Sequence, residues 1–547
     1  MKNGTNAGSL PPLISGIVTD SKHYIDNLFA DTWKKLKMNS LIKGAGFSKR
    51  SGIEVTEAVF ILLLWKWLNM SSIAMFSRKS LGTFSMARKD VMYDLLKREE
   101  INWRALNSQT AKAVYQQNKL TGSCVKAFVL DDSIKTRCGK KMEGVSSHFD
   151  HVTGRHVMGQ QVLTLGLATE EAFLPLDSQI YVSQVKARKL INPYKDGRSV
   201  AGKRYSEATT QSKPEMASHM MRRAIRSGME ADYVLADAWF GTKPMIRTAL
   251  ELDVCAILRM KKGKMKYRAV VSGRKKQLLN AQELYTYAVK REWKKVRGMP
   301  WKAVTLDVEL DLTEKDEKKP RWQPVRLLFV RGLKEPSEVE VSKKEWALFL
   351  TTDTKLSMSK MLETYALRWG IEVYFKEAKQ HLGFLQEQTA TFASHTASIH
   401  LCAIRYLMLV HNKLEDPDSR VGGIRSQIQE QLDSLSFAGR LWQIFRAIIS
   451  GTLNELQATL GCSVDTLMLA IDKRVTEFFG SSGKFVGRKV LNSGSPPTWR
   501  GLCHLVQRFQ GASLVPRDSS LTSLNQMARG LHEGRGTSPI GMPMGIQ

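Results

Sequence analysis

The sequence predicts an α/β protein whose mixed sheet is interrupted by a β-rich insertion and flanked by helical N- and C-terminal regions. Three patterns predict it. Apolar residues recur at helical spacing from about 20 to 120. Three strand-like runs, then a strand–helix alternation, occupy about 126–258. A second strand-rich stretch, about 260–353, precedes a strong helical segment. With 547 residues the chain has room for about three or four domains of roughly 150 residues. Its 43% hydrophobic and 8% aromatic content supplies cores and excludes a mainly disordered chain.

Within the N-terminal region, VTEAVFILLLWKWLNM has helical periodicity. KDVMYDLLKREEINWRALNSQTAKAVYQQ continues as two amphipathic segments with a break near Asn102. From Lys126 the runs KAFVLDDS, HVMGQQVLTLGLAT and AFLPLDSQIYV read as three strands joined by turns. A helix over about Ser206–Ser227 ends before Gly228, and the short buried strand YVLADAWF follows. Another helix, about Lys243–Leu252, leads to strand VCAIL. From about Met260 to Asp353 come KYRAVV, AVTLDVELDL, PVRLLFVR and WALFLTT, strands separated by charged turns. One continuous helix is expected over about Ser359–Leu382, with further helical segments to about Phe479. Residues 1–20 and 511–547 are weakly periodic and rich in small or turn-forming residues, which predicts flexible ends.

Charge narrows the function. There are 82 Lys+Arg against 52 Asp+Glu, a net charge of +30. The pI is about 9.8. Such a surplus points to a polyanionic partner, nucleic acid first and an anionic membrane surface second. A membrane-spanning role is excluded by pattern: the longest apolar run, Ala58–Trp65, is followed by Lys66, and the run Leu401–Val410 contains Arg405. No basic amphipathic helix stands out to carry a membrane-surface role. The N-terminal stretch shows no export signal. The six cysteines form no C-x2-C pair, so neither a disulfide framework nor a zinc finger is expected, and a reducing compartment is.

Acidic residues within this basic chain carry the chemistry. FVLDDS places Asp131 and Asp132, and YVLADAWFG places Asp237, at the ends of buried strands. A carboxylate there is costly unless paired or bound to a cation, although either strand end alone is equally explained by an Asp that caps the next helix. On the later helix, Tyr365, Arg368, Glu372 and Lys379 fall within an arc of about 60°. Glu372 is the only carboxylate on this stripe, and the flanking Trp369 and Phe375 predict partial burial. A salt-bridged solvated face is one reading, and a metal-plus-phosphate site is the other.

The spacing Tyr365-x2-Arg368-x3-Glu372-x6-Lys379 resembles the signature of the family 4 insertion-sequence transposases, cut-and-paste enzymes of the DDE (Asp-Asp-Glu) type. The resemblance covers about Ala127–Gly383, including the order of the acids and the β-rich insertion between the second and third. It implies a ribonuclease-H-like core with catalytic, metal-binding Asp131, Asp237 and Glu372. A Ser or Thr two positions after the first Asp, as Ser133 follows Asp131, favours Asp131 over its rival Asp132. The expected organisation is a flexible N-terminus (1–20), a helical domain (21–122) read as DNA-binding, with a packing domain bearing solvated lysines as an equal alternative, and a first core segment (123–258). The insertion (259–353), a second core segment bearing Glu372 (354–395), a helical C-terminal region (396–510) and a flexible tail (511–547) follow.

Three carboxylates of this kind suit Mg²⁺, with Mn²⁺ as a substitute, in a pair about 3.5–4 Å apart. The implied reaction is hydrolysis at the transposon end, hairpin formation, and strand transfer into target DNA. The implied partners are double-stranded DNA, as terminal inverted repeats and target, and a second copy of the chain in a homodimer; the implied location is the bacterial cytoplasm at the nucleoid. Arg368 and Lys379 would hold backbone phosphates and Tyr365 would donate to one. Trp346 would stack on a flipped base, an interaction worth roughly 1–3 kcal/mol, with Trp293, Trp301 and Trp322 as rivals and a core role as the simpler alternative.

Two further clusters remain. The run Arg259–Lys276 has nine basic residues of eighteen and no acid. Because it follows the sheet and contains Tyr267, its lysines Lys261, Lys262, Lys264 and Lys266 are read as DNA-backbone contacts rather than a merely solvated face. His148, His151 and His156 have spacing that permits a metal site, but a turn shaped by Asp150 and Gly154 explains them better. The functional expectation is therefore a transposase. A metal-dependent endonuclease without strand transfer and a non-catalytic DNA-binding regulator, or decayed transposase, are its alternatives.

Overall fold

A computed structural model describes residues 27–481 except 140, 151–152, 271–272, 274, 300, 315, 333–345, 388 and 458–460. The expected flexible ends, 1–20 and 511–547, and His151 lie outside the described residues. The chain opens with α1 (Leu28–Lys35), α2 (Met38–Gly44), α3 (Val55–Leu64), α4 (Ile73–Lys79), α5 (Leu81–Phe84), α6 (Lys89–Lys97) and α7 (Trp103–Gln117). Then come β1 (Ala127–Thr136), β2 (Ser146–Asp150), β3 (Arg155–Ala168), β4 (Phe173–Tyr181), α8 (Val200–Thr210), α9 (Lys213–Arg226) and β5 (Tyr233–Ala236). Next are α10 (Lys243–Glu251), β6 (Cys255–Arg259), β7 (Lys266–Ala269), β8 (Gln277–Asn280), α11 (Ala281–Val289) and β9 (Lys294–Lys295). After these stand β10 (Trp301–Asp311), β11 (Trp322–Gly332), β12 (Trp346–Thr351), α12 (Met358–Ala366) and α13 (Trp369–Gln380). The series closes with α14 (Phe392–Glu415), α15 (Val421–Glu455) and α16 (Val464–Ser481).

Local chemistry sets several of these boundaries. Asn102 starts α7 by accepting a hydrogen bond from the Ala105 amide at 3.0 Å, which accounts for the expected break. The single helix expected over Ser206–Ser227 is two, α8 and α9, divided at Gln211 and Ser212. Ser212 and Glu215 form a reciprocal capping box with Pro214 in the first turn, a strong start signal inside an otherwise helical pattern. The expected helix over Ser359–Leu382 is likewise two, α12 and α13, with a tight turn in which the Gly370 amide donates to Leu367 and the Ile371 amide to Arg368.

The described chain divides into two compact units, the first made of 27–148, 157–235 and 366–481 and the second of 149–156 and 236–365. The first unit is mixed α/β. Its strands lie in the order β4-β3-β1-β5, with β2 also on β3, and β3 is antiparallel to both β1 and β4. A bulge at Leu165/Gly166 lets the Phe173 ring sit where a Cβ on Gly166 would lie 2.1 Å from it, so only glycine fits there. Helix α14 is buried from Phe392 to Asn412. Its Arg405, the charge inside the apolar run, is fully buried and donates to the carbonyls of Leu62 (2.5 Å), Leu63 (3.0 Å) and Leu382 (2.8 Å). Among the described residues no helix is long and apolar enough to cross a membrane.

The second unit carries an antiparallel sheet in the order β6-β12-β11-β10-β7-β8, with β9 on β10. Helix α11, which the strand-rich reading did not include, begins with an Asn280–Glu283 capping box and buries Leu284, Tyr285 and Ala288.

Candidate active site

Strand β1 does not end at the paired aspartates but continues to Thr136, so Asp131 and Asp132 are both ladder residues, opposite Thr164 and Leu163. Successive side chains of a strand point to opposite faces. Alternation therefore separates the two acids. Asp131 Oδ2 accepts from Arg368 Nη1 at 2.8 Å, and the other guanidinium nitrogen, Nη2, donates to Glu372 Oε1. Asp132 is held by different groups: Lys213 Nζ donates to Oδ2 at 2.7 Å and Gln161 Nε2 to Oδ1 at 2.7 Å.

Glu372 is placed by the packing of α13. Ile371, Tyr374, Phe375 and Ala378 form the buried stripe of that helix, leaving Glu372 at its edge. Tyr374 packs on Phe173 of β4 and Tyr406 of α14, with ring centroids 5.9 and 5.0 Å apart. At Gly370 an added Cβ would lie 2.9 Å from Phe173 Cβ, so a side chain there would push the helix off the sheet. Of the two aromatics that flank the stripe, Trp369 is 47% exposed and Phe375 is buried. Lys379 is half-buried on α13, and its carbonyl accepts from Gln386 Nε2 at 3.3 Å.

The second unit holds Asp237 directly after β5. Its Oδ1 accepts from the amides of Trp239 (2.9 Å) and Phe240 (3.4 Å), a turn-capping arrangement. An added Cβ on Gly241 would lie 2.4 Å from the Arg259 carbonyl, so this turn closes on β6 only with glycine. Tyr365 is buried; its hydroxyl donates to the Ala236 carbonyl at 3.3 Å and its ring meets Phe349 edge-on at 4.8 Å. It thus ties α12 to the strand end that carries Asp237.

Trp346, read as the base-stacking residue, is 1% exposed. Its indole is stacked on Tyr285 at 4.2 Å, Lys262 Nζ lies over the ring at 4.3 Å, and Phe329 is 5.5 Å away. That is a core position, and a base reaches it only by displacing these neighbours. Trp346→Ala is therefore expected to destabilise the fold by roughly 3–5 kcal/mol, measured by urea unfolding, since it empties a packed aromatic site. Among the rivals, Trp293 and Trp322 are each covered by a guanidinium, Arg331 at 4.2 Å and Arg268 at 3.8 Å, while Trp301 is half-buried.

Within the basic run, Lys261, Lys264 and Lys266 are exposed. Lys262 is half-buried, and burial, aided by nearby Arg259, lowers its pKa to about 8. Tyr267 is fully buried and so does not interleave with the lysines, as the DNA-contact reading assumed. Arg268 and Lys276 both pair with Glu309, at 2.6 and 2.9 Å. Val271, Ser272 and Arg274 lie outside the described residues.

The histidine segment is a β2–β3 hairpin. His148 is buried and meets Ser146 Oγ at 2.9 Å. Burial, reinforced by Lys213, lowers its pKa to about 4, so it is neutral at physiological pH. Among the described residues no group of three or more His, Cys, Asp or Glu residues is arranged to hold a metal ion.

Sequence reasoning missed Lys213, Gln161 and Lys135. No pattern shows that the first residue of α9 reaches β1. The period-2 rule, applied to a strand of the observed length, places Lys135 on the Asp131 face, where burial lowers its pKa.

Residues 72–305 match the family described as DDE superfamily endonuclease. The matched span contains Asp131 and Asp237, covers less than half of the chain and ends before Arg368 and Glu372. No curated protein matches the chain. The match supports similarity to nucleases and transposases of the DDE type.

Proposed function

We propose that the chain is a DNA transposase of the family 4 insertion-sequence type, which hydrolyses DNA at transposon ends, forms hairpins there and joins the ends to target DNA. The observation that carries this reading is that Asp131 and Glu372, remote in sequence, meet at one guanidinium. The similarity to DDE superfamily endonucleases around Asp131 and Asp237 adds to it. The antiparallel β1-β3-β4 set, with β5 beside β1, supports a ribonuclease-H-like core.

In this reading Asp131, Asp237 and Glu372 are the catalytic carboxylates and hold Mg²⁺, or Mn²⁺, for which hard oxygen donors are suited. The bound ion supplies Lewis acidity toward water and phosphoryl oxygen. Arg368 and Lys379 take backbone phosphates, and Lys261, Lys264 and Lys266 hold DNA by charge. Tyr365 acts through the Ala236 carbonyl on the strand end rather than on DNA. The chain works at the bacterial nucleoid, as a homodimer on paired terminal inverted repeats.

The second reading is a metal-dependent endonuclease that cuts without joining, favoured by the description of the matched family. Purified full-length protein, Mg²⁺ and a duplex bearing the inverted repeats that flank its gene are expected to yield hairpin and strand-transfer products. Cleavage without joining selects the endonuclease. Binding with no Mg²⁺-dependent cleavage sinks both readings and leaves a DNA-binding regulator. If Lys261, Lys264 and Lys266 each neutralise one phosphate, replacing all three by Ala flattens the salt dependence of duplex affinity, lowering its log–log slope by about 2–3.

A further inference from the structure

Resting on the reading above, we infer that Arg368 is an internal counter-cation that occupies, between Asp131 and Glu372, the place a divalent ion requires, so that DNA binding and metal loading are coupled through its release. Its two terminal nitrogens are divided between the two carboxylates, Nη1 to Asp131 at 2.8 Å and Nη2 to Glu372. The three side chains are 17–23% exposed, so water screens their charges only in part. Two carboxylates converging in such a setting repel unless a cation stands between them. Arg368 meets that need.

The exclusion is chemical. A divalent ion in the gap between Asp131 Oδ2 and Glu372 Oε1 competes for the inward lone pairs that accept the guanidinium hydrogens, and its charge repels the guanidinium, so the two cations do not share that gap. The mobile partner is the arginine. Glu372 is anchored on α13, which is seated through Gly370, Ile371 and Tyr374, and Asp131 is fixed in the β1–β3 ladder. Arg368 stands at the α12–α13 junction on a long stem, and a DNA phosphate offers its fork an equally bidentate partner. Drawing Arg368 onto a phosphate unmasks both acids, and by reciprocity a divalent ion that takes the acids frees Arg368 and strengthens DNA binding. Asp132 cannot replace Asp131 in this exchange, because Lys213 and Gln161 hold it on the opposite strand face.

The test is Mn²⁺ binding to the full chain, read from the loss of the free-ion paramagnetic resonance signal, with and without a short duplex of arbitrary sequence. Arg368→Gln is expected to bind Mn²⁺ about tenfold more tightly than wild type without DNA. The gain should vanish in the double variant R368Q/E372Q, which also serves as the control for Mn²⁺ taken up by the duplex itself. Duplex should strengthen Mn²⁺ binding in wild type and lose that effect in R368Q. Should R368Q fail to fold, Arg368→Lys, which keeps the charge but not the fork, is expected to show a gain of several-fold. Unchanged or weaker Mn²⁺ binding in the folded variant overturns the inference, even if wild type cleaves DNA. The expected Mn²⁺ behaviour in a protein that never cleaves supports it and removes both enzyme readings of the proposed function.

Discussion

Asp131→Asn is expected to abolish Mg²⁺-dependent DNA cleavage, while Asp132→Asn leaves it within about tenfold. The loss at Asp131 should exceed about a hundredfold, because removing even an outer partner of a metal ligand costs 10–100-fold. The argument is the strand itself. The side chains leave β1 on opposite faces, Asp131 toward Arg368 and Glu372, Asp132 toward Lys213 and Gln161. Asp132→Asn instead weakens a charge-assisted contact to a lysine whose side chain is only 8% exposed, at a cost of roughly 1–3 kcal/mol in stability. DNA affinity at moderate salt should be nearly unchanged in both variants. Cleavage assays, filter binding and urea unfolding on the pair separate the roles, and a reversal, with Asp132→Asn inactive and Asp131→Asn active, would sink the assignment.

This choice was open in the sequence for a physical reason. Two adjacent acids after four apolar residues look like a strand end, and at a strand end either could face a site. Ladder pairing of β1 with β3 out to Thr136 turns the same two residues into an alternating pair. The α/β class and the helical or strand character of most segments were legible because hydrophobic period is a local property. The division of α8 from α9 was also legible, since Ser212, Pro214 and Glu215 form a start signal that the apolar periodicity masked. The α12–α13 break was not, because residues 365–372 contain no proline and keep helical spacing across it. Side-chain burial fared worst. Trp346 and Tyr267 sit in charged sequence, and only the packing of Tyr285, Phe329 and Lys262 around Trp346 makes that tryptophan core. The meeting of Asp131 with Arg368 depends on tertiary structure and leaves no trace in spacing.

Asp177→Asn is expected to destabilise the first unit by roughly 3–5 kcal/mol, the usual cost of stranding a buried ionic partner. Asp177 lies on β4, where Arg104 Nε donates to it at 3.0 Å, and Arg223 through Nε and Nη2 at 3.0 and 2.7 Å. Burial alone would raise its pKa, but Arg104 and Arg223, with buried Arg204 beside them, hold it well below the ordinary carboxylate range. A depressed carboxyl contributes stability that is present above its unfolded pKa, near 4, and is lost as pH falls through the folded value. Wild type should therefore lose this contribution progressively as pH falls below about 4, and the variant should show a flatter acid limb in urea midpoints taken from about pH 5 to 2. Asparagine retains an acceptor but no charge, which leaves Arg223 without its carboxylate and Arg104 with only Glu207 at 3.1 Å and Gln179. Against a typical total of about 5–15 kcal/mol, that loss approaches global unfolding. The effect bears on function because α9 carries both Arg223 and, at its first residue, Lys213. Loosening α9 from β4 should release Asp132 and disturb β1 beside Asp131, so residual folded D177N is expected to cleave more slowly than wild type, with the same metal preference. A midpoint within about 1 kcal/mol of wild type would mean that the arginines find other partners and that the cluster does not hold α9 in place.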